Sequence, residues 1–171
     1  MSAYSIGLDY ELDSITSTYI VTGIGSCTDT EIYIPPEYNG IAVTEIYKYA
    51  FNSADVTKIV VPASVEWIGQ GAFSACPSLV ELSIPFHGMT RDSGYPFGWI
   101  FYGGSSGYDS ELYIRVTQGP FSFGYQDKNG TAHMGRTEIY PSFPKTLTTV
   151  IITDCENIEA QAFSNCPISN I

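Results

Sequence analysis

Apolar and polar residues alternate in short stretches that end at a proline. Ile32-x-Ile34, Ile59-x-Val61 and Leu82-x-Ile84 each place two apolar side chains on one face, and proline follows each of them. Val150-x-Ile152 repeats the alternation without the proline. A period of two is typical of a strand, and proline ends a strand because it cannot donate a hydrogen bond to the neighbouring strand. The pattern predicts four short strands.

A second pattern links these strands. Three Ala-Phe pairs have the same surroundings: Ala50-Phe51, Ala72-Phe73 and Ala162-Phe163. Each has an isoleucine five residues before its Phe and a small residue three residues after it. The first two pairs are 22 residues apart, and the third follows 90 residues later. A unit of this size cannot bury its own apolar face, so stacked copies are expected. We expect the strand at 150–152 to pair with that at 82–84, and Phe51, Phe73 and Phe163 to form a buried ladder.

The composition indicates a β protein and argues against nucleic-acid binding and a membrane span. The chain has 19 Ile, 9 Val and 15 Thr but only 6 Leu, and β-branched residues favour strands over helices. The net charge of -11 argues against nucleic acid as a partner, because a phosphate backbone attracts positive charge. No apolar run has the length of a membrane span, and no signal peptide is visible.

Residues 59–85 read IVVPASVEWIGQGAFSACPSLVELSIP and resemble the BspA-like leucine-rich repeat family. The N-terminal stretches Gly7-Leu8-x-Tyr10 and Tyr19–Gly25 are similar to that family's first unit. The resemblance implies a right-handed leucine-rich-repeat solenoid with a parallel sheet. It also implies extracellular or cell-surface proteins of host-associated microbes, with roles in adhesion or binding. It offers no catalytic residues, so we expect no enzyme activity.

The repeat divides a single leucine-rich-repeat domain into parts. We expect an N-terminal cap at 1–31 containing a hairpin, repeats at 32–85 and 143–171, and an insertion at 86–142. The insertion holds 12 of the 24 aromatic residues and 10 of the 16 glycines. Its alternating residues around 112–116 and the turn signal Asn129-Gly130 predict a small antiparallel β meander. We expect the repeats to remain folded when a short linker replaces 86–142.

The insertion also supplies the candidate ligand-binding residues. Tyrosine and tryptophan present flat apolar faces with polar tips, which suit contacts to proteins or sugars. The candidates are Tyr95, Trp99, Tyr102, Tyr108 and Tyr113. The alternative is that these rings form the core of the insertion itself. We expect no cofactor and no metal, since the chain has no CxxC and its two histidines lack ligand spacing.

Two further motifs have structural interpretations. Gly103–Gly107 fits G-x-S-x-G, but no helical pattern follows the serine, so a flexible loop is the better interpretation. Cys27, Cys76 and Cys166 occupy one position of the repeat, which indicates a small buried residue in each copy. A disulfide among them is the alternative.

Three functions remain open at this point. The first is a non-enzymatic binding or adhesion module that contacts a host or matrix protein. The second is a carbohydrate-binding module that uses the insertion aromatics, and the third is a structural spacer. Because Ile171 opens the next strand of the repeat register, we also expect a fragment of a longer protein. Such a fragment could self-associate end to end through its uncapped C-terminus.

Overall fold

The structure is a computed structural model that describes residues 4–91, 95–103, 111–126, 129–155, 158 and 161–171. The strands are β1 (Asp9–Asp13), β2 (Thr18–Gly23), β3 (Glu31–Tyr33), β4 (Glu37–Tyr38), β5 (Ile41–Ile46), β6 (Lys58–Val60), β7 (Trp67–Ile68), β8 (Glu81–Ile84), β9 (Tyr113–Arg115), β10 (Gln118–Gln126), β11 (Ala132–Ile139), β12 (Ser142–Pro144) and β13 (Thr149–Ile152). A 3-10 helix, η1 (Phe97–Phe101), lies between β8 and β9. The described part of the chain contains no α-helix, so the protein is mainly β, as predicted.

Four strands form a parallel sheet in the order β3–β6–β8–β13. Ile32, Ile59, Leu82 and Val150 occupy one row across it, and all four side chains are buried. A slip of one residue would turn this row towards solvent, so the buried face specifies the register. The prediction that the strand at 150–152 pairs with the strand at 82–84 is confirmed.

The N-terminal strands form a second sheet of mixed direction. β1 and β2 are the predicted antiparallel hairpin, whereas β2, β5 and β7 run parallel to one another. β4 adds an antiparallel neighbour to β5. The expectation of one parallel sheet therefore describes only the four-strand sheet. The difference arises because the β1–β2 hairpin and the short strand β4 each add an antiparallel pair to the parallel strands.

The repeats also pair through the turn that carries the phenylalanine. The Phe51 N–H donates to the Ala72 carbonyl at 2.8 Å, and the Phe73 N–H donates to the Ile100 carbonyl at 3.0 Å. Ile100-Phe101 thus takes the place that Ala-Phe holds in the preceding copies. Two residues after each Phe the backbone has a positive φ, at Ser53, Ala75, Gly103 and Asn165. The third copy of the repeat consequently runs beyond residue 86 to Phe101, and Gly103 supplies its left-handed turn.

This third copy changes the aromatic ladder. Phe51 and Phe73 are buried and stacked with ring centroids 5.9 Å apart, as predicted. The next ring is Phe101 at 6.4 Å from Phe73. Phe163 is half-buried and packs on Phe97 at 4.8 Å. The predicted three-ring ladder is therefore wrong at its third member, because η1 places two further phenylalanines between Phe73 and Phe163.

The strands after η1 form two antiparallel pairs. β10 pairs with β11, and the predicted turn at Asn129-Gly130 lies between them. β9 pairs with β12, which comes after the hairpin in the chain. The predicted meander is wrong in this pairing, since a meander would join β9 to its sequence neighbour β10. Closing β9 on β12 returns the chain to the repeats at Phe143, which is buried against Phe97 and Phe101.

A buried glutamine joins the third and fourth copies. Gln118 accepts a hydrogen bond from the Gly98 N–H at 2.8 Å, and its Nε2 donates to the Ser164 carbonyl at 2.6 Å. Between the first two copies, the carbonyl after the Phe is bonded by a backbone N–H, from Ser53 to Ser74 at 3.1 Å. At Ser164 the Gln118 side chain donates to the corresponding carbonyl, at the point where the regular stacking is interrupted.

Candidate functional site

The outer face of the four-strand parallel sheet carries two ordered rows of side chains. One row is Glu31, Lys58, Glu81 and Thr149, and the other is Tyr33, Val60, Ser83 and Ile151. These positions alternate with the buried row, so they point away from the core. Ile151 is 42% exposed, and Val60 and Tyr33 are half-buried. On this outer face, the row with Tyr33, Val60 and Ile151 is largely apolar, and the row with Glu31, Lys58 and Glu81 is largely charged.

Electrostatic contacts order the charged row. Lys58 Nζ lies 2.8 Å from Glu81 Oε1 and sits over the Tyr33 ring at 5.8 Å. The hydrogen bond to Glu81 raises the pKa of Lys58. The Tyr33 hydroxyl donates to Glu31 Oε2 at 2.9 Å, and this bond is the main reason that its pKa is raised. Pairs of this kind at a surface contribute little to stability, but they hold the side chains in a defined pattern.

The structure brings three of the predicted ligand-binding residues together. The Tyr95 and Trp99 rings are 4.3 Å apart, and Trp99 and Tyr102 are 6.3 Å apart. Tyr95 is only 5% exposed, whereas Trp99 and Tyr102 are half-buried. Tyr113 is half-buried on β9, and Tyr108 lies outside the described residues, as do residues 104–107 of the G-x-S-x-G stretch. A role of these rings in ligand binding stays a prediction.

The geometry of η1 explains why Trp99 reaches the surface. A 3-10 helix has three residues per turn, so Phe97 and Ile100 share one face and Trp99 lies on another. Phe97, Ile100 and Phe101 are fully buried in the repeat core. Anchoring the first face therefore turns the second one outwards. The Trp99 indole N–H is screened from solvent and has no acceptor among the described residues, which costs about 1–3 kcal/mol.

Tyr49 is a surface residue of this region that the repeat pattern does not single out. It lies on the neighbouring copy, two residues before Phe51, and is 37% exposed. Its ring lies against two glycines: a Cβ at Gly71 would approach Tyr49 Cε1 to 2.5 Å, and one at Gly103 would collide with the Tyr49 hydroxyl. Both glycines have positive φ. The signal that could have found Tyr49 is Gly71, which holds the equivalent position of the following copy, two residues before Phe73.

The prediction of a buried cysteine in each copy is confirmed at Cys76 and wrong at Cys27 and Cys166. Cys76 is buried, while Cys27, Cys155 and Cys166 are half-buried, and all four are free thiols. Burial raises the pKa of Cys76 and of Cys166 to about 12, so neither forms a nucleophilic thiolate near neutral pH. Among the described residues, no three His, Cys, Asp or Glu side chains converge on a possible metal position. In the same part of the chain no helix is both long and apolar enough to cross a membrane.

Comparison with known proteins identifies one family. A family model described as the BspA type leucine rich repeat region matches residues 11–96 in six copies. The match extends ten residues past position 86, into the segment that the hydrogen bonds assign to the third copy. No curated protein and no solved structure matches the chain.

Proposed function

Because this chain belongs to the BspA-type leucine-rich repeat family, we propose that it is a non-enzymatic module that binds a protein ligand at a cell surface or in the extracellular space. Leucine-rich repeats in general mediate protein interactions, and this family is generally surface-associated or secreted. The observation that carries the proposal is the double row on the outer face of the parallel sheet. Adhesion to a host or matrix protein is the specific form of binding that we propose.

The chemistry of the sheet face suits a protein partner. Tyr33, Val60 and Ile151 offer apolar area, and Lys58 and Glu81 offer a flanking pair of opposite charges. Interfaces of this kind combine an apolar centre with a polar rim. The four strands hold both rows in register, so the ligand would meet a surface that needs little rearrangement before binding.

The same family membership supports the finer form of the fold. We infer that the repeats coil as a right-handed solenoid, since crossovers between parallel strands of one sheet are right-handed in about 98% of cases. Residues 1–31 form its N-terminal cap. The repeats at 32–85 continue at 143–171, and we now place the start of the true insertion after Phe101.

The test is binding of the chain to an array of extracellular-matrix proteins and glycans. We expect at least one matrix protein to bind, and Val60→Glu with Ile151→Glu to abolish that binding. Met134→Glu is the matched control, because Met134 is 84% exposed on β11 and lies outside the sheet face. Binding that survives the sheet variant but is lost when residues 104–140 are replaced would move the site to the insertion.

Two other outcomes would support the alternative functions. Binding to glycans alone would favour a carbohydrate-binding module, and the absence of any binding would favour a structural spacer. End-to-end self-association also stays a prediction, which light scattering over a concentration series tests. A molar mass that remains that of one chain at every concentration would contradict it.

A further inference from the structure

We propose a second binding site, for a neutral glycan, on an aromatic platform formed by Tyr49, Gln70, Trp99 and Tyr102. It goes beyond the protein-binding role and lies on the turn side of the repeats, not on the parallel sheet. Its members come from three consecutive copies of the repeat. Stacking of the copies assembles the platform, so no single copy contains it.

The glycines define the shape of the platform. The Tyr49 ring rests on Gly71 of the second copy and reaches Gly103 of the third. Because neither glycine has a side chain, the ring lies close to the backbone and retains a solvent-exposed surface. The Tyr102 carbonyl borders Gly71, beside the Tyr49 ring, and the Tyr102 ring stands 6.3 Å from Trp99.

The polar groups beside the rings suit hydroxyl groups. The Gln70 Nε2 lies 3.2 Å from the position of a Cβ on Gly103, next to the Tyr49 hydroxyl. An amide and a phenol can each donate and accept hydrogen bonds, as sugar hydroxyls require. The apolar C–H face of a sugar ring packs on an aromatic face, while its hydroxyls meet polar groups at the rim.

The charge of the protein favours neutral over anionic glycans as ligands. The chain carries a net charge of -11, and the only charged side chain within two residues of Tyr49 is Lys48, which is engaged over the Tyr47 ring at 5.7 Å. Sulfated or sialylated glycans would meet repulsion from the acidic chain. A neutral glycan would meet none. One exposed ring and its neighbours provide a small contact area, so we expect weak binding that several chains together would strengthen.

The experiment starts from a printed array of neutral, sialylated and sulfated glycans probed with the full chain. We expect a neutral glycan to be retained and the anionic ones to be excluded. Titration of the best neutral oligosaccharide would then be followed by fluorescence in a Trp67→Phe background, where Trp99 is the sole tryptophan. Tyr49→Ala should weaken binding about three- to tenfold, and Tyr49→Phe should retain most of it.

The control is Tyr140→Ala, which removes a tyrosine of similar exposure from the end of the insertion. Thermal melting of each variant separates a binding defect from a folding defect. Retention of no neutral glycan, a preference for anionic glycans, or equal binding by Tyr49→Ala would each overturn the proposal. Because the Val60→Glu and Ile151→Glu changes lie on the sheet face, they should leave glycan binding unaltered. The two binding proposals can therefore fail independently.

Discussion

The repeats and the segment 86–142 look unlike each other in sequence but share one core. The chain outside this segment carries a net charge of -10 and has aliphatic strands, whereas the segment is nearly neutral and rich in aromatic residues and glycine. Yet its first part, through Phe101, pairs with the second repeat like any other copy. The difference teaches that a change of composition need not mark a structural boundary. Here the hydrogen bonds and the buried side chains place the structural boundary after Phe101, about 16 residues beyond the change in composition at residue 86.

The two regions also differ in the hydrogen bonds that join successive copies. Between regular copies, backbone N–H and C=O groups pair directly from turn to turn. Between the third and fourth copies backbone bonds remain, such as that from the Phe97 N–H to the Ala162 carbonyl at 2.9 Å. Gln118 and Asn165 add side-chain bonds there, the latter from Nδ2 to the Thr117 carbonyl at 2.9 Å. At the junction that follows the long excursion of the chain, side-chain bonds thus supplement the backbone bonds.

The sharpest test of this comparison replaces two segments with Gly/Ser linkers. Replacing 104–140 should leave a folded protein, because the third copy stays intact. Replacing 86–142 removes Phe86, Phe97, Ile100 and Phe101, whose burial contributes roughly 6–12 kcal/mol in sum. This approaches the whole stability of a typical domain, so the second variant should unfold.

Circular dichroism and proton–nitrogen NMR spectra would distinguish the two variants. The expected unfolding of the 86–142 variant differs from the prediction made from the repeat pattern, which was that the repeats would remain folded without this segment. Two equally folded variants would mean that Ile100-Phe101 does not act as a copy of the repeat.

Within the repeats, Phe73→Ala should have the largest effect of any single substitution that we consider. The ring is fully buried between Phe51 and Phe101, and its truncation leaves a cavity between copies. We expect a loss of about 3–5 kcal/mol in the free energy of unfolding, measured by denaturant titration. Ile151→Ala on the outer face is the control and should cost much less. A loss below about 1 kcal/mol for Phe73→Ala would show that the residue is not in the core.

A smaller and more local effect is expected for Gln118→Leu. Leucine has nearly the size of glutamine, but it leaves the Gly98 N–H and the Ser164 carbonyl without their partner. We expect the free energy of unfolding to fall by about 1–3 kcal/mol. Hydrogen exchange should quicken in residues 161–171 and remain slow in β3, β6 and β8. Uniform acceleration across all strands would contradict a role confined to the junction of the third and fourth copies.

The smallest effect concerns alkaline pH. Cys76 is protonated in the folded protein up to a pKa of about 12, whereas the unfolded thiol loses its proton near pH 9. Above that pH the unfolded state binds fewer protons, so stability should fall as pH rises from about 9 towards 12. Cys76→Ala should flatten this slope, since Ala54 holds the same repeat position in the preceding copy. An identical slope in the variant would exclude Cys76 as the source.

The repeat pattern was sufficient to predict the four strands of the parallel sheet and their order. Pro62 and Pro85 end strands, and period-two alternation places Ile59 and Leu82 in the core whatever surrounds them. These features depend on residues close together in the chain, which is why a single sequence reveals them. The hairpin at β1–β2 and the turn at Asn129-Gly130 were predictable for the same reason.

Tertiary structure alone decided where the third copy ends and what surrounds the candidate sites. Phe97-Gly-Trp-Ile-Phe101 has no Ala-Phe pair, so its place in the stack is revealed by its backbone pairing with Gly71 and Phe73 and by the packing of Phe101 on Phe73. Tyr49 becomes part of an aromatic platform because glycines 22 and 54 residues further along the chain come to lie beneath it. Local patterns specify strands and turns, but contacts between distant copies depend on how the chain stacks, and stacking brings together residues that no short stretch contains.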